Sequence, residues 1–382
     1  MNNNSIKQHA KLLSLFTAAA LFVTACSKKD APIPEPPVVD EGIYILNEGN
    51  MGTNSATLDY FDFKQQRLSF NIFTAANPNK TDSLNNRLGN KLGDVGQDVK
   101  VYGSKMYIVV NNSNKVEVVD AKTVKSIKTI YLPKKQPRYV AFYKDKAFVN
   151  AYDGTVTVID TGNLSIVKSI KVGKTPEGMT VVGDKLYVAN AGWQDVVYAP
   201  PGTVGQYDST LSVIDLNSLT EIKKVVVTKN MGRLVADKYG DIYCVGQDQY
   251  AGAVVVAPGD VYVFDTKTET VKKKLGFLAT AIAIQDDNGF FINYNWETSK
   301  PTYIKFNVAT ETKISDNFIT DGTDKSIKVP YGIVVDPVTS DIYLSDGGVY
   351  PTQVYVLSAT GTKKNWFKTS GDFASSFAFY RK

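Results

Sequence analysis

The sequence predicts an all-β fold, a seven-bladed β-propeller with four-stranded blades, and three observations carry that expectation. First, one short string returns seven times: an aromatic, one or two aliphatics, then usually a small polar residue. It reads Tyr44-Ile45-Leu46-Asn47, Tyr107-Ile108-Val109-Val110-Asn111, Phe148-Val149-Asn150, Tyr187-Val188-Ala189-Asn190, Tyr243-Cys244-Val245-Gly246, Phe291-Ile292-Asn293 and Tyr343-Leu344-Ser345-Asp346. The aromatics lie 63, 41, 39, 56, 48 and 52 residues apart, and units of about 40 to 50 residues made of short strands are the mark of propeller blades. Second, a strand ending in an acidic or amide residue follows in phase, at Asp120, Asp160, Asp215, Asp265 and Asn307. Third, helical periodicity is absent over any long window, while 22 Tyr and 18 Phe accompany many Val and Thr, the residues of stacked, twisted sheets.

Taken in chain order, residues 1–25 read as a leader outside the fold. Lys7 and Lys11 precede an apolar run from Leu12 to Val23 that is too short for a membrane span, and it ends in Val23-Thr24-Ala25-Cys26. That ending resembles a bacterial lipobox, which implies cleavage before Cys26 and lipidation of its thiol; the alternative is an ordinary secretory signal with a chance cysteine. Ser27-Lys28-Lys29-Asp30 is similar to the export tags of Bacteroidetes surface lipoproteins, and Pro32, Pro34, Pro36 and Pro37 make residues 26–40 a stiff tether. The propeller is expected over residues 41–382.

Its clearest unit runs from Pro137 to Gly173. Arg138 to Tyr143, Lys146 to Asn150, Thr155 to Asp160 and Ser165 to Lys171 read as four strands, and Asp160 is placed to close an Asx turn over Thr161-Gly162-Asn163. The chain begins its first unit directly at a second strand, whereas the tail Phe373 to Tyr380 resembles a first strand without a blade. Pairing the two would close the ring and remove exposed edges.

Composition narrows the chemistry. The sole histidine is His9, inside the leader, so the mature chain has no histidine for a Ser-His-Asp or Cys-His arrangement, a histidine base or a histidine metal site. With Cys26 lipidated, Cys244 has no intramolecular disulfide partner and reads as a buried, inert thiol. Loss of Lys7 and Lys11 leaves 41 basic against 38 acidic residues, or +3, without a basic stripe interleaved with aromatics, which argues against nucleic acid. Asp94, Asp98, Glu177 and Asp237 keep open a calcium-dependent, lactonase-like alternative. The expectation is a non-enzyme with no catalytic residue, metal or cofactor.

Loops joining strands two and three share a face with the blade junctions. The long ones, Ala191 to Asp208, Gln247 to Gly259, Tyr294 to Thr302 and Gly347 to Thr352, carry Trp193, Tyr207, Tyr250, Trp296 and other aromatics, while the junctions add Gln97, Asp98, Arg138, Glu177, Arg233 and Tyr331. Those ten residues are the candidate ligand-binding set, because aromatic faces beside amide, guanidinium and carboxylate groups suit a large, partly flat ligand or a protein. Structural alternatives stand beside them. Trp193 and Trp296 could pack loops onto the blades, Arg138 and Arg233 could bridge neighbouring blades from equivalent places in consecutive first strands, and Asn47, Asn111, Asn150 and Asn190 read as backbone caps.

The strings Ile45-Leu46-Asn47-Glu48-Gly49-Asn50, Gly93-Asp94-Val95-Gly96-Gln97-Asp98, Val116 to Ala121, Gln136-Pro137-Arg138-Tyr139, Thr175-Pro176-Glu177-Gly178 and Tyr207 to Asp215 resemble the YncE-like propeller lipoproteins of Bacteroidetes, in particular their BtuG-like, cobalamin-binding branch. The resemblance spans residues 41 to 382. It implies a lipid-anchored, surface-exposed outer-membrane protein that captures a corrinoid outside the cell and passes it to a TonB-dependent transporter, acting as its lid. The alternative in another class is a propeller scaffold for a protein or glycan.

Overall fold

A computed structural model describes residues 41–81, 90–198, 206–251 and 254–381. The leader, Cys26 and the tether expected over residues 1–40 lie outside the described residues. The described residues form one compact unit, and no helix among them is long and apolar enough to cross a membrane.

Seven four-stranded antiparallel sheets make the propeller. Their inner strands are Ala374–Tyr380 for blade 1, Gly96–Tyr102 for blade 2, Pro137–Tyr143 for blade 3, Pro176–Val182 for blade 4, Met231–Ala236 for blade 5, Ala281–Gln285 for blade 6 and Pro330–Val335 for blade 7. These seven strands touch one another in cyclic order. Blade 1 closes as the sequence predicts: Gly42↔Tyr380 through Asn47↔Ala374 pair the N-terminal strand with the C-terminal one. Blade 3 matches its expected strands to within a residue or so, as Pro137–Tyr143, Lys146–Ala151, Thr155–Asp160 and Ile166–Lys171.

The repeated string is the second strand of each blade, and it is apolar because both faces of it are covered. Tyr44, Tyr107, Phe148, Tyr187, Tyr243 and Phe291 are fully buried or nearly so, each contributing about 2 kcal/mol by removing its ring from water. They sit in the apolar layers between blades; Tyr107, for example, meets Phe142 edge-on at 4.9 Å. The outermost strands face solvent, as the exposed run Thr270–Lys274 of blade 5 shows. The residues ending the third strands act as turn caps. Asp160 Oδ1 accepts from the Gly162 and Asn163 amides at 2.9 and 3.1 Å, and Asn307 Oδ1 from Thr310 at 2.9 Å. The recurrent asparagines are architectural: Asn111 Nδ2 donates to the Pro137 carbonyl at 3.0 Å, and Asn190 Oδ1 accepts from Gly173 at 3.0 Å. Cys244 is a buried free thiol, and burial pushes its ionisation up.

Some expected loops are more ordered than a turn-rich composition suggests. Ala191 to Asp208 opens with a short helix, Trp193–Val197, and Gln247 to Gly259 contains a hairpin, Gln249–Ala251 against Val254–Ala257. Tyr294 to Thr302 is mostly strand, since Asn288–Asn295 and Lys300–Asn307 pair up to Asn295↔Lys300 and leave Trp296 to Ser299 as a tight turn. A second short helix, Ile72–Ala76, packs Ile72 and Phe73 into the blade 1 core.

One register feature positions the functional groups. In blades 1, 2, 3, 4, 5 and 7 the inner strand enters its sheet through a bulge; in blade 3, Pro137 pairs with Ala151 but Val140 already pairs with Val149. A bulge adds one residue and re-aims its neighbours. Here it brings the second and third residues of the inner strands to the propeller axis.

Candidate binding site at the propeller axis

A cavity of about 260 Å³ opens there, lined by Glu48, Gln97, Arg138, Tyr139, Glu177, Gly232, Arg233, Gln247, Thr280, Tyr294, Trp296, Val329, Pro330 and Tyr331. Counting from the first bulged pair, Gln97, Arg138, Glu177, Gly232 and Tyr331 all occupy position two, and Tyr139 and Arg233 position three. Arg138 and Arg233 are therefore not equivalent residues of consecutive strands. They lie one register step apart in blades 3 and 5, with blade 4 between them.

Arg138 is tightly held. Its Nε and Nη2 donate to Glu177 Oε2 at 3.1 and 2.9 Å, its Nη1 donates to Gln97 Oε1, and its guanidinium lies 4.8 Å from the Tyr152 ring centre. Glu177 Oε1 accepts from the Tyr152 hydroxyl at 2.8 Å and from Trp193 Nε1 at 3.1 Å. Burial is the largest single influence on Arg138 and opposes its charge, but Glu177, Tyr139 and Tyr152 together outweigh it and hold the guanidinium above its ordinary range. Burial, then the same carboxylate, pushes the Tyr152 hydroxyl up. Arg138 thus bridges blades 2 to 4, and Trp193 packs edge-on against Tyr152 at 5.2 Å.

Glu48 and Tyr331 make a second cluster, with the Tyr331 hydroxyl donating to Glu48 Oε2 at 3.0 Å. Burial raises the Glu48 carboxyl against the opposing influence of the nearby Ser375 hydroxyl and the Tyr331 hydrogen bond; burial and then Glu48 raise Tyr331. Arg233 is different. Its guanidinium lies 5.8 Å from the Tyr139 ring centre, and among the described residues it makes no hydrogen bond or ion pair. Its ionisation is raised first by Tyr139, with burial opposing and Glu48 adding to it.

Next to the axis a second hollow of about 470 Å³ runs over blades 5 and 6, lined by Asp248, Tyr250, Val255, Pro258, Asn295 and Glu297 among others. It shares Gln247, Thr280, Tyr294 and Trp296 with the axial cavity, so the two form one cleft. Trp296 is 73% exposed and stands edge-on to Tyr294 at 4.7 Å. An exposed indole against a walled cleft offers an apolar face for a flat ligand.

Of the ten sequence candidates, Gln97, Arg138, Glu177, Arg233, Tyr331 and Trp296 line the axial cavity, and Tyr250 lines the adjoining hollow. Trp193 and Tyr207 stand behind them: Tyr207 accepts the Tyr250 amide at 3.0 Å and props the hairpin. Asp98 is turned away from the cavity, accepting from Ser376 Oγ and the Val140 amide at 3.0 Å each and tying three inner strands together. Sequence reasoning missed Glu48, Gln247, Thr280 and Tyr294. Glu48 and Gln247 directly follow the second strands of their blades, a position that the repeat phase defines. No group of three or more carboxylate, thiol or imidazole side chains that could hold a metal ion occurs among the described residues.

Fold and site together define a β-propeller whose charged axial cavity opens into an aromatic cleft. The chain belongs to the family described as Domain of unknown function (DUF5074), whose model matches residues 41–368. No curated protein matches it. Among solved structures it is similar to the Kuenenia stuttgartiensis hydrazine synthase, with a TM-score of 0.54 and 15% identity over 69% of this chain and 76% of that one. It is also similar to BamB from Moraxella catarrhalis, with a TM-score of 0.49 and 16% identity over 74% and 77% of the two chains. At such identity the hydrazine synthase likeness speaks for fold alone.

Proposed function

We propose that this protein is a lipid-anchored, cell-surface binding protein of the outer membrane that takes a corrinoid such as cobalamin in its axial cleft and hands it to a TonB-dependent transporter. The observation that supports this most is the continuity of the two hollows: a polar, amide- and guanidinium-lined cavity runs into an aromatic-walled cleft on the loop face. A corrin is broad and amphipathic, with amides around its edge. Trp296, Tyr294 and Tyr250 would cover its apolar face while Gln97, Gln247 and Arg233 meet its rim. The protein binds and releases; it carries out no reaction and needs no cofactor of its own.

The protein mixed with cyanocobalamin and passed over a sizing column should carry the pink colour with it. Colourless protein at micromolar concentrations would reject the reading. No histidine follows His9, so the visible spectrum of the bound ligand should not change as it does on imidazole ligation. A scaffold role is the second reading, favoured by the exposed Val254 and Val256 of the blade 5 hairpin; capture of a protein or glycan without corrinoid would support it.

A further inference from the structure

We infer that Arg233 is the anion-binding residue of the axial cavity and holds an oxyanion, carboxylate or phosphate, at the end of the ligand that enters the axis. The inference concerns the chemistry of that end and does not depend on the ligand being a corrinoid.

Two arginines line the cavity, and they are in opposite states. Three nitrogens of Arg138 are engaged by Glu177 and Gln97, so no charge is left over for a ligand. Arg233 has the Tyr139 ring near it and no hydrogen-bonded acceptor among the described residues. A guanidinium carries five N–H donors in a fork that matches a carboxylate or phosphate two bonds at a time, and one left without an acceptor in a partly dry cavity is poised for such a group.

A second unbonded donor stands beside it. The Gln247 side chain lies over Gly232, where an added Cβ would come within 2.6 Å of Nε2, and it too makes no hydrogen bond among the described residues. The backbone fixes this pair in place. A Cβ on Gly178 would meet the Leu234 amide at 2.5 Å and the Gly232 carbonyl at 2.6 Å, so glycine there lets the inner strands of blades 4 and 5 close up directly behind Arg233. The carboxylates nearby are spent elsewhere. Glu177 serves Arg138, and Asp98 serves Ser376 and Val140; Glu48 accepts from Tyr331 and acts on Arg233 only through space, without a hydrogen bond to it.

Equilibrium dialysis of the full chain at low ionic strength against labelled inorganic phosphate and, separately, labelled acetate tests this. Saturable uptake of at least one anion, at one site per chain, is expected, and which anion binds tells a phosphate-bearing ligand from a carboxylate-bearing one. Arg233→Gln should weaken uptake by roughly tenfold or more, and Arg233→Lys, which keeps the charge but not the fork, should restore part of it. Circular dichroism should show both variants folded, since Arg233 bonds to nothing that holds the blades. No saturable uptake of either anion at about 10 mM, or equal uptake by folded Arg233→Gln, would overturn the inference.

Discussion

The two sides of the axial cavity are built from the same bulged strand starts and differ in what they leave unbonded. On the side of blades 2 to 4, Gln97, Arg138, Glu177, Tyr152 and Trp193 form a network in which one carboxylate accepts from three different side chains. On the side of blades 5 and 6, Arg233 and Gln247 have no such partners, Trp296 is mostly exposed and the wall opens into the larger hollow. Arg233 is only partly buried and Gln247 is exposed, so water can serve their donors until a ligand displaces it. The first side is therefore a clamp that ties blades together, and the second is the side we propose for the ligand.

The largest expected effect tests the clamp. Glu177→Ala removes the acceptor for Arg138, Tyr152 and Trp193 at once and strands a guanidinium whose side chain is 17% exposed. Breaking such a pair should lower unfolding stability by roughly 3 kcal/mol, read by chemical denaturation. A loss below about 1 kcal/mol would mean that the two sides are energetically alike. The counterpart on the open side is Trp296→Ala. Exposed as it is, its loss should leave stability within about 0.5 kcal/mol, yet weaken cyanocobalamin binding by about 2 kcal/mol, as expected of an aromatic anchor. If stability falls and binding does not, Trp296 is a packing residue and the open side is smaller than drawn.

The comparison also marks how much of the molecule the sequence discloses. The repeated aromatic string is legible because a strand covered on both faces admits only apolar residues, and its phase alone sorts Arg138, Glu177, Arg233 and Tyr331 onto one end of the ring. The phase does not reveal the bulges. A one-residue slip in pairing changes which residue reaches the axis, and that is why Arg138 and Arg233 look equivalent in sequence while Asp98, next to Gln97, points elsewhere. Nor does residue type separate Trp193 from Trp296. Both sit in aromatic second-to-third loops, but one is tied to Glu177 and the other projects into solvent, a difference set by contacts distant in the chain. Glu48 and Gln247 were hidden for a simpler reason: each opens a short polar stretch just after a strand, Glu48-Gly49-Asn50 and Gln247-Asp248-Gln249, which reads as a turn.

A smaller effect probes the prop beneath the open side. Tyr207→Phe removes the acceptor of the Tyr250 amide, a single hydrogen bond worth about 1 kcal/mol. Its signature should be local: faster hydrogen exchange in the Gln249–Ala257 hairpin with the blades unchanged. Protection unchanged in the hairpin would show that Tyr250 is held by its own strand pairing instead.

The smallest effect concerns Glu48, which faces both sides. Its folded-state ionisation lies above the ordinary value of 4.5 because burial outweighs the Tyr331 hydrogen bond and the nearby Ser375 hydroxyl. The native state therefore keeps a proton that the unfolded chain has already lost, and stability declines as pH rises from about 4.5 to the raised value, then stays level. Glu48→Gln does not titrate there and can still accept from Tyr331. The variant's stability relative to the parent should be lowest in acid, climb through that window and level off above it. Asp59, raised by burial as well, contributes equally to both proteins and cancels in the difference. A difference independent of pH would mean that Tyr331, Ser375 and the two arginines fully offset the burial of this carboxylate. Glu48 would then belong with Glu177 to the clamp, and the open side would begin at Arg233.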